Sequence, residues 1–274
     1  MDEVIAFGDG RGFGLLSRAH GARRRAPTVV LLNAGLTHRI GPFRIYVRLA
    51  RRLAAEGFDV LRFDLPRVGD GDARPAESAE AVVTGVLDTL QQRAGAREFV
   101  LGGICSASDL AWRIVQNEPR VSGLLLYDAF ADRGPWFRIA RLRRALARPL
   151  AQWPGLAWRV LGRLRVQKPA TGFDAQSARD WPEPAVFRAQ TAALLDRGVQ
   201  ILAMYTGGVS KYLLHPRQLG TTFGMKRPDP RLELHYWPDY DHLLLPPDDR
   251  ERMVDTVVAW CRKWSLPAEL ERAA

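Results

Sequence analysis

Cysteine is scarce: Cys105 and Cys261 are the only two in 274 residues. Two isolated thiols cannot supply a disulfide framework, and their scarcity fits a reducing compartment. No run of eighteen apolar residues occurs, which excludes a transmembrane helix on length. The start, Met1-Asp2-Glu3-Val4-Ile5, has no basic region and no long apolar region, so no signal peptide is expected and the chain reads as cytoplasmic. Metal-binding patterns are also missing. The five histidines form no H-E-x-x-H, the cysteines do not pair at ligand spacing, and the carboxylates show no EF-hand spacing, so no metal is expected. There is no glycine-rich dinucleotide fingerprint and no phosphate loop. Gly207-Gly208 lacks both the later glycine and the Lys-Ser/Thr of a P-loop, and no cofactor is expected. Internal repeats and low-complexity tracts are absent too.

Acidic residues are missing from one particular place. Arg133 to Lys168 holds ten Lys/Arg and no Asp or Glu. The chain carries 40 basic and 30 acidic residues, so this one segment accounts for the whole net charge of +10. A local excess argues against general nucleic-acid binding, and no nucleic-acid-binding motif accompanies it. Within it, apolar residues such as Trp136, Phe137, Ile139, Leu142, Leu146 and Trp153 interleave with arginines at helical spacing. Breaks at Pro149, Pro154 and Gly155 suggest two helices. Three readings remain open: an amphipathic cap with solvated arginines, a positive field that draws in an anionic or acyl-carrier-bound substrate, or adsorption to an anionic membrane surface such as the inner membrane face.

With hydrophobic residues at 47%, a sizeable core is available. Strand and helix patterns alternate along the chain. Val4–Phe7 and Phe13–Ser17 form a hairpin around a glycine-rich turn. Strands follow at Thr28–Asn33, Asp59–Phe63, Glu98–Gly102, Ser122–Tyr127, Val199–Tyr205 and Leu232–Trp237. Helices are expected at Phe43–Glu56, Glu77–Arg93, Ser106–Asn117, Pro184–Arg197 and Asp248–Trp264. This order implies an α/β fold with a mostly parallel eight-stranded sheet covered by helices on both faces. Residues 1–132 and 185–274 form its core, and 133–184 is an inserted lid. Ligands of such sheets bind beyond the carboxyl ends of the strands. Gly35, Cys105, Asp128 and His242 all fall just past expected strand ends.

Phe99–Ala107 organises the rest. It reads as a buried strand that breaks at glycine and re-enters a helix. Gly103-Ile104-Cys105-Ser106-Ala107 fits the small-x-nucleophile-x-small pattern of a nucleophile elbow, with cysteine in place of serine. The turn brings the chain close to itself, so large flanking side chains would clash. Centring the pattern on Ser106 instead puts Ile104 where a small residue is needed. The competing reading of Cys105 is a structural cysteine at a strand–helix junction. Cys261, in the apolar stripe of the last helix, reads as a small core residue.

The order of elements, the elbow and a histidine after the last strand resemble the α/β-hydrolase fold. Leu31-Leu32-Asn33-Ala34-Gly35-Leu36-Thr37-His38, Val60-Leu61-Arg62-Phe63-Asp64-Leu65 and Gly69-Asp70-Gly71 are similar to the serine-aminopeptidase-like bacterial hydrolases. The Gly-x-Cys-Ser-small elbow resembles that of the exosortase A system-associated subgroup. The resemblance implies that Cys105 is the nucleophile and that His242, on the loop after the last strand, is the general base. The loop that usually carries the acid, Thr206–Lys211, has no carboxylate. Three arrangements therefore stand: Asp128 as the acid, which keeps the chain order nucleophile, acid, base; Asp241 or Asp239 beside His242; or a Cys–His dyad without an acid. The oxyanion hole falls to the Ser106 amide and to that of Gly35 or Leu36. His38, Ile104 and Trp136 are candidates for the substrate pocket. Asp109 reads as a first-turn charge or loop cap. The expected activity is hydrolysis of an ester or thioester of an apolar acyl group. Acyl transfer at the same site and an inactive scaffold that binds lipid or a membrane partner are the alternatives.

Overall fold

A computed structural model of the chain describes residues 2–8, 10, 12–20, 26–71, 78–147, 179 and 181–264. Its centre is one eight-stranded sheet: β1 (Asp2–Phe7), β2 (Gly12–Ser17), β3 (Thr28–Leu31), β4 (Val60–Phe63), β5 (Phe99–Ile104), β6 (Val121–Tyr127), β7 (Gln200–Thr206) and β8 (Leu232–Trp237). The spatial order is β1-β2-β4-β3-β5-β6-β7-β8. β2 runs antiparallel to β1 and β4, and the strands from β4 to β8 run parallel to one another.

Both faces of the parallel part are covered, as the near-continuous apolar strands require. Alternation along each strand assigns side chains to faces. In β6, Leu124 and Leu126 join the core layer beneath α2 (Ala79–Ala94), α3 (Ser106–Val115) and α5 (Pro184–Asp196). Leu125 and Tyr127 join the layer beneath α1 (Ile45–Ala55) and α7 (Pro247–Trp264). The α2 start is fixed by Ser78 Oγ, which accepts from the Ala81 amide at 3.2 Å, and its end by Gly95 at φ 69°.

The sequence placed most elements within a few residues. β3 ends at Leu31, short of the expected Asn33, although the Leu32 amide still donates to the Gly102 carbonyl at 2.9 Å. A 3-10 turn at Pro42–Arg44 precedes α1, with Phe43 and Arg44 at φ 48° and 60°. The short helix α6 (Arg217–Thr222) was not anticipated. Of the two helices expected in the inserted segment, the first is α4 (Pro135–Leu146). The second, with the breaks at Pro149, Pro154 and Gly155, lies outside the described residues.

One buried contact ties α1 to the sheet at the elbow. The Ile104 amide donates to Tyr46 Oη at 2.8 Å, with Tyr46 only 1% exposed. Tyr46→Phe keeps the ring but leaves a buried amide unpaired, which costs about 1–3 kcal/mol. Denaturant unfolding of the variant is expected to show that loss, and an unchanged midpoint would contradict the assigned bond.

Candidate active site

The turn between β5 and α3 is built from small residues and two backbone anchors. Cys105 sits at φ 59°, ψ −118°, a region an L residue occupies only under strain. Ser106 already begins the helix. The strained position of the elbow is therefore Cys105, not Ser106. Gly103 has no substitute: a Cβ there would lie 2.4 Å from Tyr46 Oη and 2.8 Å from Ala107 Cβ. Ser108, fully buried, locks the turn to β6. Its hydroxyl bonds the Gly103 carbonyl at 2.8 Å, and the Tyr127 amide donates to it at 2.8 Å. The same contacts fix the height of Asp128 relative to Cys105.

Asp128 follows β6 at φ 50° and is wholly buried. Its carboxylate accepts from the Thr206 amide and hydroxyl, each at 2.7 Å, and bonds His242 Nδ1 at 2.7 Å. That last bond leaves the other ring nitrogen of His242 to meet the Cys105 thiol. The structure thus brings together the three residues proposed from sequence, with Asp128 rather than its rivals beside the imidazole. Asp241 is committed elsewhere: it accepts from the Leu243 and Leu245 amides and closes its own turn.

Two positions of the loop after β7 exclude a carboxylate for a steric reason. A Cβ on Gly207 would lie 1.9 Å from the Pro238 carbonyl oxygen, and one on Gly208 2.5 Å from the His242 nitrogen. The His242 loop packs directly on this backbone, so neither glycine can carry a side chain. Thr206 serves instead as a donor to Asp128.

The electrostatics favour a thiolate–imidazolium pair. Burial pushes the Cys105 thiol up, but the bond to His242 and the charges of Arg179 and His242 outweigh it, and the net shift is downward. His242 is pushed up to about 10, first by its bond to Asp128 and then by Cys105. Cys261 goes the other way, raised by burial alone, as a core thiol should be.

Arg179 was missed by sequence reasoning. Its guanidinium pairs with the Asp109 carboxylate, donates to the Asp128 carbonyl at 3.0 Å and the Cys105 carbonyl at 3.3 Å, and lies 4.7 Å from the Trp181 ring centroid. Asp109 is therefore half of a buried ion pair, not a free first-turn charge.

The Gly35 amide donates to Ser106 Oγ at 2.7 Å, which brings the loop after β3 to the start of α3. Gly35 is at φ 58°, and a Cβ there would approach only Ser106 Oγ, at 4.0 Å. Its requirement for glycine is conformational rather than steric. The Leu36 side chain is 85% exposed.

The three pocket candidates each have defined packing partners. Ile104 is 3% exposed and packs in the core layer of α1 and α7. The Trp136 ring stacks on His215, with centroids 5.2 Å apart, and joins α4 to the segment before α6. His38 bonds Asp70 at 3.2 Å, beside Arg39 and Asp64. His38 was suggested by its place on the loop after Asn33, Ile104 by the elbow and Trp136 by the inserted segment. His38, Asp64 and Asp70 also form a cluster of ligand-type groups, but Arg39 Nη1 already sits on both carboxylates, at 2.5 and 2.8 Å. Asp64 further accepts from the Asn33 side chain and the Arg39 amide. A cation there would have to displace Arg39. The cluster instead shapes the loop that carries Gly35.

A cleft of about 370 Å³ runs along the far half of α3, lined by Trp112, Arg113, Trp181 and Gln190 among others. It lies away from the elbow, and none of Cys105, Asp128 and His242 lines it.

Among solved structures, an alpha-beta serine hydrolase homologue from Coxiella burnetii is 13% identical, covering 94% of this chain and 96% of its own, with a TM-score of 0.55. The esterase domain of a Rhodothermus marinus protein is 14% identical, with 96% and 98% covered and a TM-score of 0.54. A proline iminopeptidase from Mycobacterium smegmatis is 17% identical, with 96% and 98% covered and a TM-score of 0.52. Likeness at such identities shows a shared fold. No curated protein matches the sequence. Residues 29–260 match the alpha/beta hydrolase family. That span runs from β3 to the last helix and takes in the elbow, Asp128 and His242, and with it the chain belongs to the alpha/beta hydrolase family.

Proposed function

We propose that this chain cleaves an ester or thioester of an apolar acyl group through a covalent acyl-enzyme on Cys105. The observation that carries the reading is the line Asp128–His242–Cys105, with the thiol at the strained turn. Nδ1–H of His242 donates to Asp128, so Nε2 faces the sulfur. The thiolate attacks the carbonyl carbon and the carbonyl π electrons move to oxygen. That oxyanion is received by the Ser106 amide and the Gly35 amide, which a turn of the Ser106 hydroxyl releases. Collapse expels the alcohol or thiol, which takes the proton from His242 Nε2. Water then attacks the acyl-enzyme, gives its proton to His242, and the acid leaves as the thiolate is restored. The Gly103–Ala107 elbow also supports placing the chain near the exosortase A system-associated hydrolases.

The test is alkylation of Cys105 by iodoacetamide across pH, alongside turnover of a panel of acyl esters and thioesters. Cys261 is 1% exposed and should stay unlabelled in the folded protein. Reactivity is expected to appear below the ordinary thiol value of about 8.5 and to shift upward in His242→Ala. Turnover is expected to rise with thiolate formation and to fall as the pair loses its remaining proton, near the His242 value of about 10. A thiol that titrates normally, with no turnover of any acyl compound, would reject the catalytic reading in favour of a binding scaffold.

A further inference from the structure

Helix α4 is amphipathic in an unusual sense. Phe137 and Ala140 face the core, yet Ile139, Leu142 and Leu146, spaced by three and four residues, form a second apolar stripe that is 40%, 60% and 55% exposed. Arg138 and Arg143 flank that stripe, Arg141 and Arg144 are exposed elsewhere on the helix, and the helix has no acidic residue. Among the described residues none of these four guanidinium groups meets a carboxylate. A helix evolved only to cap a core would show water its arginines, not its leucines.

The stripe has company on the same edge of the sheet. Among the described residues, the large exposed apolar side chains other than Val4 and Val186 all belong to segments that leave the carboxyl ends of β3, β6 and β8. Phe43 and the Leu244–Leu245 turn are held together by Arg250, whose guanidinium lies 4.8 Å from the Phe43 ring centroid and donates to the Leu244 carbonyl at 2.7 Å. Cys105 and His242 open on this edge.

We propose that the α4 face, with the Leu36–Phe43 and Leu243–Leu245 loops beside it, rests on an anionic lipid surface. The aliphatic stripe enters the acyl boundary, and the flanking guanidinium groups remain among the headgroup phosphates, the arrangement that basic amphipathic helices adopt at interfaces. An acidic protein partner would use the arginines but leave unexplained the aliphatic side chains exposed on three separate segments. Lipid binding does not require Cys105 chemistry, so the two readings stand or fall separately.

The full chain is mixed with vesicles of phosphatidylcholine alone, or with equal parts phosphatidylglycerol, and sedimented. Preferential sedimentation with the anionic vesicles, weakened by salt, is expected. An arginine near an anionic surface contributes roughly fivefold, so Arg138→Gln with Arg141→Gln and Arg143→Gln should weaken binding about a hundredfold. Leu142→Glu should weaken it by roughly tenfold or more while the thermal midpoint stays unchanged. Val4→Glu, midway along the outer strand β1, should bind like wild type. Cys105→Ala should also bind normally, even if turnover is lost. Absence of anionic-vesicle binding, indifference to the α4 substitutions, or capture by an acidic acyl carrier protein without vesicle binding would overturn the proposal.

Discussion

Cys105→Ala is expected to lower turnover of the best acyl substrate by at least about 10⁴-fold, with little change in thermal stability. The side chain is half-buried, and alanine removes only the sulfur, so a large stability loss would signal a structural role instead. His242→Ala should cost a similar factor, since the thiolate then loses its proton partner. The double variant should be no worse than either single one, because nucleophile and base act as a unit. Ser106→Ala discriminates the two elbow registers: it should retain acyl-enzyme formation on Cys105, detectable as a mass increase. Loss of that adduct with Cys105 present would place the nucleophile at residue 106. If Cys105→Ala retains turnover, the elbow is a relic of the fold and the chemistry lies elsewhere. An Asp128→Asn variant should fare better than Cys105→Ala, because a thiolate needs less activation than an alkoxide and the amide can still orient the ring.

The elbow was readable because its physics is local. A strand that ends at Ile104 and restarts as a helix at Ser106 leaves one residue, Cys105, for the strained position. Parallel strands were readable from continuous apolar runs, and their ends located Gly35, Cys105, Asp128 and His242 together. The choice of acid was not readable. Asp128, Asp239 and Asp241 are chemically alike, and what separates them is which backbone amides each already serves. Asp241 is consumed by its own turn, while Asp128 is oriented by Thr206 from a neighbouring strand. The empty carboxylate position at Gly208 could have been a sign, since a Gly-Gly pair after a strand marks close backbone approach. The packing partners of His38, Ile104 and Trp136 were not readable, because position along the chain says nothing about which way a side chain turns. Arg179 left no periodic signal at all: its partner Asp109 is seventy residues away. One hint existed, an aspartate on the core-facing side of the elbow helix, which needs a cation if it is buried.

Arg179→Met is expected to destabilise the protein by about 3–5 kcal/mol, because it strands the Asp109 carboxylate in a buried site. The two side chains are only 5% and 9% exposed, so solvent screens their attraction little. Removing both charges in Arg179→Met/Asp109→Leu should recover much of that loss, since a buried pair and an apolar pair of similar volume are often close in energy. Stability alone would not separate a scaffold role from an electrostatic one. The Cys105 thiol does, because the two charges act on it with opposite sign: Arg179 lowers its pKa and Asp109 raises it. In Arg179→Met the alkylation midpoint should therefore move to higher pH, and in Asp109→Asn to lower pH, although both variants are less stable than wild type. Arg179→Lys keeps the charge and should hold the midpoint near wild type. It cannot reproduce the fork that spans Asp109, the Cys105 carbonyl and the Asp128 carbonyl, and should still lose stability. Loosening of the elbow by a purely structural defect would move all three midpoints the same way, so opposite shifts would mark Arg179 as a group that sets the charge state of the thiol.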